Sequence, residues 1–589
     1  MQHSKLKKMK NKIILMALSA TLFGSISCNN FLDTNIDPDK VDANLLTPNY
    51  IFPGAVTGSS VFSATAGSYV QARILNAFAS IQMNSLAGNS YSFGTPFVDD
   101  YTPNITSGYN SAIWDAMFRQ ITNFQTIIDY NDPTGQYAKY KAMSMIMKAY
   151  HVQILTDLYG DMPYSEAFKR ELNLTPKYDK GEDIYKASIA DLEKAVELIN
   201  SGAGTSPGSA DVVFGGTMPS WIAFANTIKL RYLIRMSNVT GEMATYRDQK
   251  LATLAGATFS SGDVTMNPGY SSASDSKQNP WTNYWVVLSS GARPTSGNQS
   301  YNLYTASEHI ALALNGNKRY IPTSATTSVA YNDPRDVYQK FNGVKDGRRG
   351  RLFTLITPAG SIADSATVEG VRQGATPGQP GAEAGRTGTT VSRFGLGLIL
   401  GNNTTITSTA PAAIVAAASA KPVVLLSKAE TEFLLAEAAL RYPAIALGDA
   451  ETHFKDGIRA SYNYLGANID VVVDNTTTPP TTKKAAEIYI DKVNTRAKLG
   501  WIGSNENKLE AIMTQKWIAL TGINPEQSFF DYTRTGYPIT PMPTIATGTV
   551  KPNRLLYPTS EYASNANNVP NMTAADVFTK NKFTPFWAR

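Results

Sequence analysis

Apolar residues recur at three- and four-residue spacing in two separate blocks of this chain, and that periodicity restricts each block to packed amphipathic helices. In the first block Trp114, Met117, Phe118, Ile121, Phe124, Gln125 and Ile128 share one helical face, and Met143, Ile146, Met147, Tyr150, Ile154 and Leu158 share another within 140–158. A third helix is expected over 183–199, with Ile184, Ala187, Leu192, Ala195 and Leu198 turned inward. Pro219 suits a first helical turn, so 220–237 makes a fourth. The second block reads as helices over 426–441, 449–465, 485–499 and 508–520. Eight helices in four consecutive pairs predict a mainly α protein built on a helical-repeat scaffold.

Between the blocks, residues 240–425 change character. Gly, Ser, Thr, Asn and Pro become frequent and aromatics are spaced irregularly, as in Gln278-Asn279-Pro280-Trp281-Thr282-Asn283-Tyr284-Trp285. Long irregular segments in a folded protein are usually functional or disordered, so this region is expected to be a loop-rich subdomain carried by the helices, with 359–391 as a mobile loop.

The N-terminus carries a second constraint. Lys5, Lys7, Lys8, Lys10 and Lys12 precede a short apolar stretch, 13–27, that ends in small residues before Cys28, the only cysteine in the chain. At about 1.5 Å per residue that stretch is too short for a hydrocarbon core of about 30 Å, so it reads as a cleaved secretory signal and Cys28 as a lipid attachment site. The expected organisation is a signal peptide (1–27), a polar tether (28–45) and one domain (46–589). Within that domain the scaffold covers about 46–240 and 425–525, the insertion about 240–425, and a loop-rich C-terminal segment about 526–589. The tether imitates a calcium loop at Asp33-Thr34-Asn35-Ile36-Asp37, but Pro38 stands where glycine is needed and Asn44 where a bidentate glutamate belongs.

Several function classes fall away. Much of the formal charge of +6 belongs to the leader, leaving a nearly neutral chain with no basic face for nucleic acid. One cysteine permits no intramolecular disulfide. Gly204-Thr205-Ser206-Pro207-Gly208 matches a nucleophile elbow in letters, yet the residue after the serine must donate a backbone N–H to the oxyanion, and Pro207 has none. His151, His309 and His453 are isolated, without the spacing of a zinc site, and Gly395, Gly397 and Gly401 lack dinucleotide spacing. No cofactor or metal is expected. A carboxylate pair for glycoside hydrolysis would meet only in the fold.

Four blocks together resemble the SusD/RagB family of outer-membrane nutrient-binding lipoproteins, most closely its SusD-like subgroup. They are Thr156-Asp157-Leu158-Tyr159-Gly160-Asp161-Met162-Pro163-Tyr164-Ser165-Glu166-Ala167; Asp211 to Gly216 with Trp221 and Phe224 to Ser237; Glu432 to Ala439; and Gln515 to Leu520 with Asp531 to Pro538 and Arg554 to Pro558. The resemblance implies four tetratricopeptide-like helix pairs, a loop-rich ligand face, binding without catalysis, and pairing with a SusC-like TonB-dependent transporter in the outer membrane. It also implies display on the cell surface, although surface-displayed members often carry acidic residues directly after the cysteine, and here Asn29 to Leu32 intervene before Asp33. The Arg, Tyr and Trp residues of these blocks, Arg231, Arg235 and Arg534 among them, suit helix packing and loop tethering more than ligand contact.

Extracytoplasmic capture of sugars or peptides favours aromatic rings beside amides, since a planar ring buries C–H surface at small entropic cost. Two loops combine these ingredients. One is 89–109, with Tyr91, Phe93, Tyr101 and Tyr109; the other is 278–285, with Trp281, Asn283, Tyr284 and Trp285, extended by Tyr301. The leading reading is an oligosaccharide-capturing lipoprotein that delivers its ligand to the transporter. The alternatives are a peptide-capturing member of the same family and a helical-repeat assembly protein with no small ligand, whose loop aromatics would all be buried.

Overall fold

The helical periodicity produces the scaffold it predicts: α1 (Ala112–Ile128), α2 (Ala138–Tyr159), α3 (Gly181–Asn200), α4 (Met218–Arg235), α5 (Lys428–Arg441), α6 (Ala450–Tyr464), α7 (Ala485–Val493) and α8 (Asn505–Leu520). The structure is a computed structural model that describes residues 46–58, 70–89, 98–102, 104–169, 172–295, 300–322, 328–357, 366–375, 391–402, 409–546 and 548–589. Cys28, Tyr91 and Phe93 lie outside these residues. In the first block consecutive helices pack on one another, in the second α5 packs on α6, α6 on α7 and α8 on both α5 and α6, and α4 packs on α5 to join the blocks.

Helix starts in the second block are set by side-chain caps. Ser427 Oγ accepts from the Glu430 N–H, Asp449 from Thr452, and Ser504 and Asn507 form a reciprocal capping box. α7 stops six residues short of its expected end. Lys498 takes a left-handed φ of 70°, and a Cβ on Gly500 would lie 2.1 Å from the Val493 carbonyl oxygen, so the chain turns back tightly instead of continuing the helix. α2 is buried on nearly every side because α1, α3 and α4 all pack on it, so its one-faced pattern understates its burial.

The insertion is pinned at both ends by one antiparallel pair, β2 (Val264–Met266) with β4 (Val423–Leu426). A second pair joins β1 (Leu86–Gly88) to β3 (Tyr304–Ala306), with Leu86 opposite Ala306 and Gly88 opposite Tyr304. The expected mobile loop at 359–391 needs correcting over 366–375. The Val371 N–H donates to Ala306 O at 3.0 Å, Gln373 Nε2 donates to the Ile81 and Leu86 carbonyls at 2.7 Å, and a Cβ on Gly370 would lie 2.3 Å from Ser307 O. That stretch is packed; of the remainder the described residues cover only Val391, which is buried.

The expected loop-rich C-terminal segment instead begins with a helix, α9 (Pro525–Thr535). It closes a buried ionic cluster drawn from both blocks. Arg235 of α4 donates to Asp157 of α2 (3.1 Å), Asp531 of α9 (2.9 Å) and Gln527 (2.7 Å). Arg534 forks onto Glu437 of α5 at 2.5 and 2.8 Å, and Lys516 of α8 reaches Asp531 at 2.7 Å. Arg231 bridges Gln153 (2.8 Å) and Glu430 (3.3 Å). These arginines serve as forks fixing buried partners, which is the packing role the sequence assigns them.

Candidate ligand-binding face

The pairing of β1 with β3 brings the start of the first aromatic segment to the insertion. Asn89 N–H donates to Leu303 O (2.8 Å), which sets the end of β1 beside 301–304, and the segment 70–75 lies against the helix Pro280–Trp285. Around this junction stand Tyr284, Trp285, Tyr301 and Tyr304 from the insertion and Tyr101 and Tyr109 from the first segment, with Arg73 against Tyr284 and Asn283.

Within the stretch 278–285, Pro280–Trp285 forms a short helix and not a loop. Pro280 occupies its first turn, and the Asn279 side chain caps it by accepting from the Trp281 (2.9 Å) and Thr282 (3.1 Å) N–H groups. The pattern Asn-Pro before an aromatic run is a legible helix start that the spacing of the aromatics conceals. A turn of helix sends successive rings to different sides, so the face divides.

Trp281 is 8% exposed and packs on Phe394 (5.8 Å between centroids). Trp285 is 3% exposed, donates from Nε1 to Ala72 O at 2.7 Å, and meets Tyr284, Tyr304 and Phe394 at 5.0, 5.3 and 5.2 Å. The amides are equally committed: Asn283 donates to Gln278 (2.9 Å) and accepts from Arg73 (2.7 Å), while Gln278 donates to Ser419 (2.7 Å). Trp281, Trp285 and Asn283 therefore present no free face to a ligand in this arrangement. This corrects their expected role as an open platform.

The half-buried rings of Tyr284 and Tyr301 are partly accessible. The Arg73 guanidinium lies 4.6 Å from the Tyr284 centroid, and Arg293 and Arg393 lie 4.7 and 4.8 Å from that of Tyr301. Arg393 also fixes the Tyr301 backbone, donating to its carbonyl at 2.7 Å. Guanidinium planes hold aromatic rings in one orientation, which lowers the entropic cost of presenting them. Sequence reasoning missed Arg73, Arg293, Arg393 and Tyr304. No local motif marks them; only the β1–β3 pairing and the packing of 70–75 assemble them.

In the first loop Tyr101 is buried, its hydroxyl accepting from the Gly88 N–H at 2.5 Å, so it acts as a tie for β1. Tyr109 is half-buried, packs edge-on to Phe78 (6.1 Å) and donates to Asp100 at 2.5 Å. Burial pushes the Asp100 carboxyl up to about 6, opposed by the Tyr109 hydroxyl and helped by Asp99. A raised acid binds its proton more tightly in the folded chain, so Asp100 weakens the fold at neutral pH and ceases to do so as pH falls from about 6 to about 4. Compared with Asp100→Asn, the wild type should thus gain relative stability between pH 7 and pH 4 in denaturant unfolding. An unchanged difference between the two would show that Asp100 ionises normally.

A family model described as starch-binding and associating with the outer membrane, SusD-like, matches residues 55–558. The chain belongs to the SusD-like family. Solved structures agree in fold. A chitin-binding protein aligns over 89% of this chain and 95% of its own at 23% identity and a TM-score of 0.59. A chitin-binding SusD homologue from Flavobacterium johnsoniae covers 91% and 98% at 21% identity and 0.60. A SusD-like protein from Bacteroides thetaiotaomicron covers 89% and 94% at 21% identity and 0.59. Among curated proteins none matches. No helix among the described residues is long and apolar enough to cross a membrane.

Proposed function

We propose that this SusD-like protein is a non-catalytic nutrient-binding lipoprotein of the outer membrane. It captures oligosaccharide at the face around Tyr284 and Tyr301 and hands it to a SusC-like TonB-dependent transporter. The observation that carries the reading is the gathering of the Pro280–Trp285 helix and the 301–304 segment beside β1 on a SusD-like scaffold, with two partly accessible rings held by guanidinium groups. The starch-binding family description and the chitin-binding relatives support saccharide over peptide. Acylation at Cys28 supplies the membrane attachment in this reading, and membership of the SusD-like family motivates the barrel partner.

A soluble form beginning at Asn29, titrated with maltooligosaccharides and chitooligosaccharides, tests the assignment. Tyr284→Ala and Tyr301→Ala should each weaken binding by about 5-fold to 150-fold, which corresponds to roughly 1–3 kcal/mol of lost stacking and burial. Their unfolding midpoints should move little, because both rings are already partly in water. Unchanged affinity in both variants would remove this face from the function.

A further inference from the structure

A cleft of about 930 Å³ that shares no lining residue with that face lies among α1, α2, α3, the segment 161–169 and Leu172. Ligand pockets span about 300–1,000 Å³ and combine ring or apolar surface with a few convergent polar groups. The geometry points to this cleft as a second saccharide site, one that takes a neutral, hydroxyl-rich ligand. The assignment relies on the saccharide-binding reading above only for its choice of probe.

Its floor is built, not incidental. Lys148 of α2 is 8% exposed, and its ammonium sits 4.5 Å from the Tyr164 centroid and 3.3 Å from Asp191 Oδ2 of α3. Tyr164 Oη lies 3.4 Å from the same carboxylate oxygen. Burial alone would lower the Lys148 amine, but Tyr164 and Asp191 outweigh it, so the group stays charged and oriented. Tyr164 belongs to the 156–167 block, and its backbone is clamped by Asp179, which accepts from the Tyr164 and Ser165 N–H groups at 2.9 and 2.8 Å.

One wall is held in an unfavourable conformation. Phe168 has φ of 64°, a left-handed value that a bulky side chain seldom adopts. This conformation lays its ring against Phe118 (5.7 Å, stacked) and edge-on to Tyr164 (6.2 Å), where it lines the cleft. Packing with Phe118 compensates the strain only because the ring is placed here.

The chemistry of the lining selects the ligand class. Its two acidic side chains, Asp129 and Asp191, balance its two basic ones, Lys148 and Lys169, so the cleft offers no net field to a polyanion or polycation. Gln125, Thr126, Asn131 and Ser165 add amides and hydroxyls that both donate and accept, the pattern that matches sugar hydroxyls. Peptide capture is disfavoured by the same lining. No residue of a described strand lines the cleft, so strand addition is not offered, and the polar groups interrupt the continuous apolar row that an amphipathic helix requires.

The test is calorimetric titration of the soluble form with the same maltooligosaccharides and chitooligosaccharides, using wild type, a Tyr284→Ala/Tyr301→Ala variant, Phe168→Ala, and Asp129→Ala as an exposed probe that leaves the packing intact. Two sites are expected in the wild type, with residual binding in the Tyr284→Ala/Tyr301→Ala variant. In that background Phe168→Ala should weaken the residual binding by about 5-fold to 150-fold and Asp129→Ala by a smaller factor. Circular dichroism melts establish that each variant is folded. A single site abolished by Tyr284→Ala/Tyr301→Ala and indifferent to Phe168 and Asp129 overturns the second site while leaving the loop face standing. Binding that survives the loop-face variant unchanged and is lost on Phe168→Ala supports the cleft and overturns the loop face. No saccharide binding in the wild type, or capture of extended peptides in the cleft, overturns the proposal.

Discussion

Asp531→Ala is expected to destabilise the folded chain by about 3–5 kcal/mol, the range for removing one partner from a buried charge cluster. Asp531 is the shared acceptor of the inter-block cluster. Lys516 at 2.7 Å, Arg235 at 2.9 Å and Arg534 at 3.1 Å all converge on it, and each of these side chains is almost fully buried. Burial by itself would raise its carboxyl, but the three cations hold it well below the usual carboxylate range. A depressed carboxyl contributes stability that is present above the unfolded value near 4 and is lost as pH falls through the folded one, so the cost of the substitution should shrink in acid. Arg235 also needs this anion to stay between Phe530 and Trp587, whose centroids lie 5.0 and 5.4 Å from its guanidinium carbon. Asp531→Asn keeps the shape and loses the charge, and should fall between wild type and Asp531→Ala in denaturant unfolding. A loss below about 1 kcal/mol for Asp531→Ala would mean that Asp157 and Glu437 suffice to neutralise the three cations.

The scaffold was legible because its signals are local. Ser427, Asp449 and Ser504 mark helix starts as caps, Pro219 marks another, and the apolar spacing of α1, α3 and α6 lies on the face each helix buries. α9 carried comparable marks, Pro525 and Glu526 in its first turn and a left-handed Gly536 at its end, but its aromatic-polar sequence hides the apolar stripe. The ligand face was legible only in part. Composition marked both segments as aromatic and amide-rich, yet it could not say which rings point outward. That depends on Asn279 capping a helical turn and on a β1–β3 register joining residues more than two hundred positions apart. Long-range pairing leaves no periodic trace in the segments it joins. The second cleft has the same property: Lys148, Phe168 and Asp191 come from three elements, and the left-handed conformation of Phe168 has no sequence signature.

The division of the Pro280–Trp285 helix into core and surface rings leads to a large effect at Trp285. Trp285→Ala should lower folding stability by about 3–5 kcal/mol, as expected for truncating a buried tryptophan. Its ring is the common neighbour of Tyr284, Tyr304 and Phe394, and its Nε1 bond to Ala72 O at 2.7 Å ties the 70–75 segment to the insertion. Trp285→Phe keeps much of the burial and gives up the hydrogen bond, leaving the Ala72 carbonyl to find another donor, so a loss nearer 1–2 kcal/mol is expected. Tyr284→Ala, one position earlier, should move the midpoint far less while weakening saccharide binding, because its ring is partly in water and Arg73 covers only part of it. Measuring denaturant midpoints and oligosaccharide affinity on the three variants separates support from contact. Trp285 as support predicts that affinity lost in Trp285→Ala returns in Trp285→Phe along with the fold. A Trp285→Ala variant that is fully stable but blind to ligand would instead make the ring itself part of the binding platform, and would require the Pro280–Trp285 helix to open when ligand arrives.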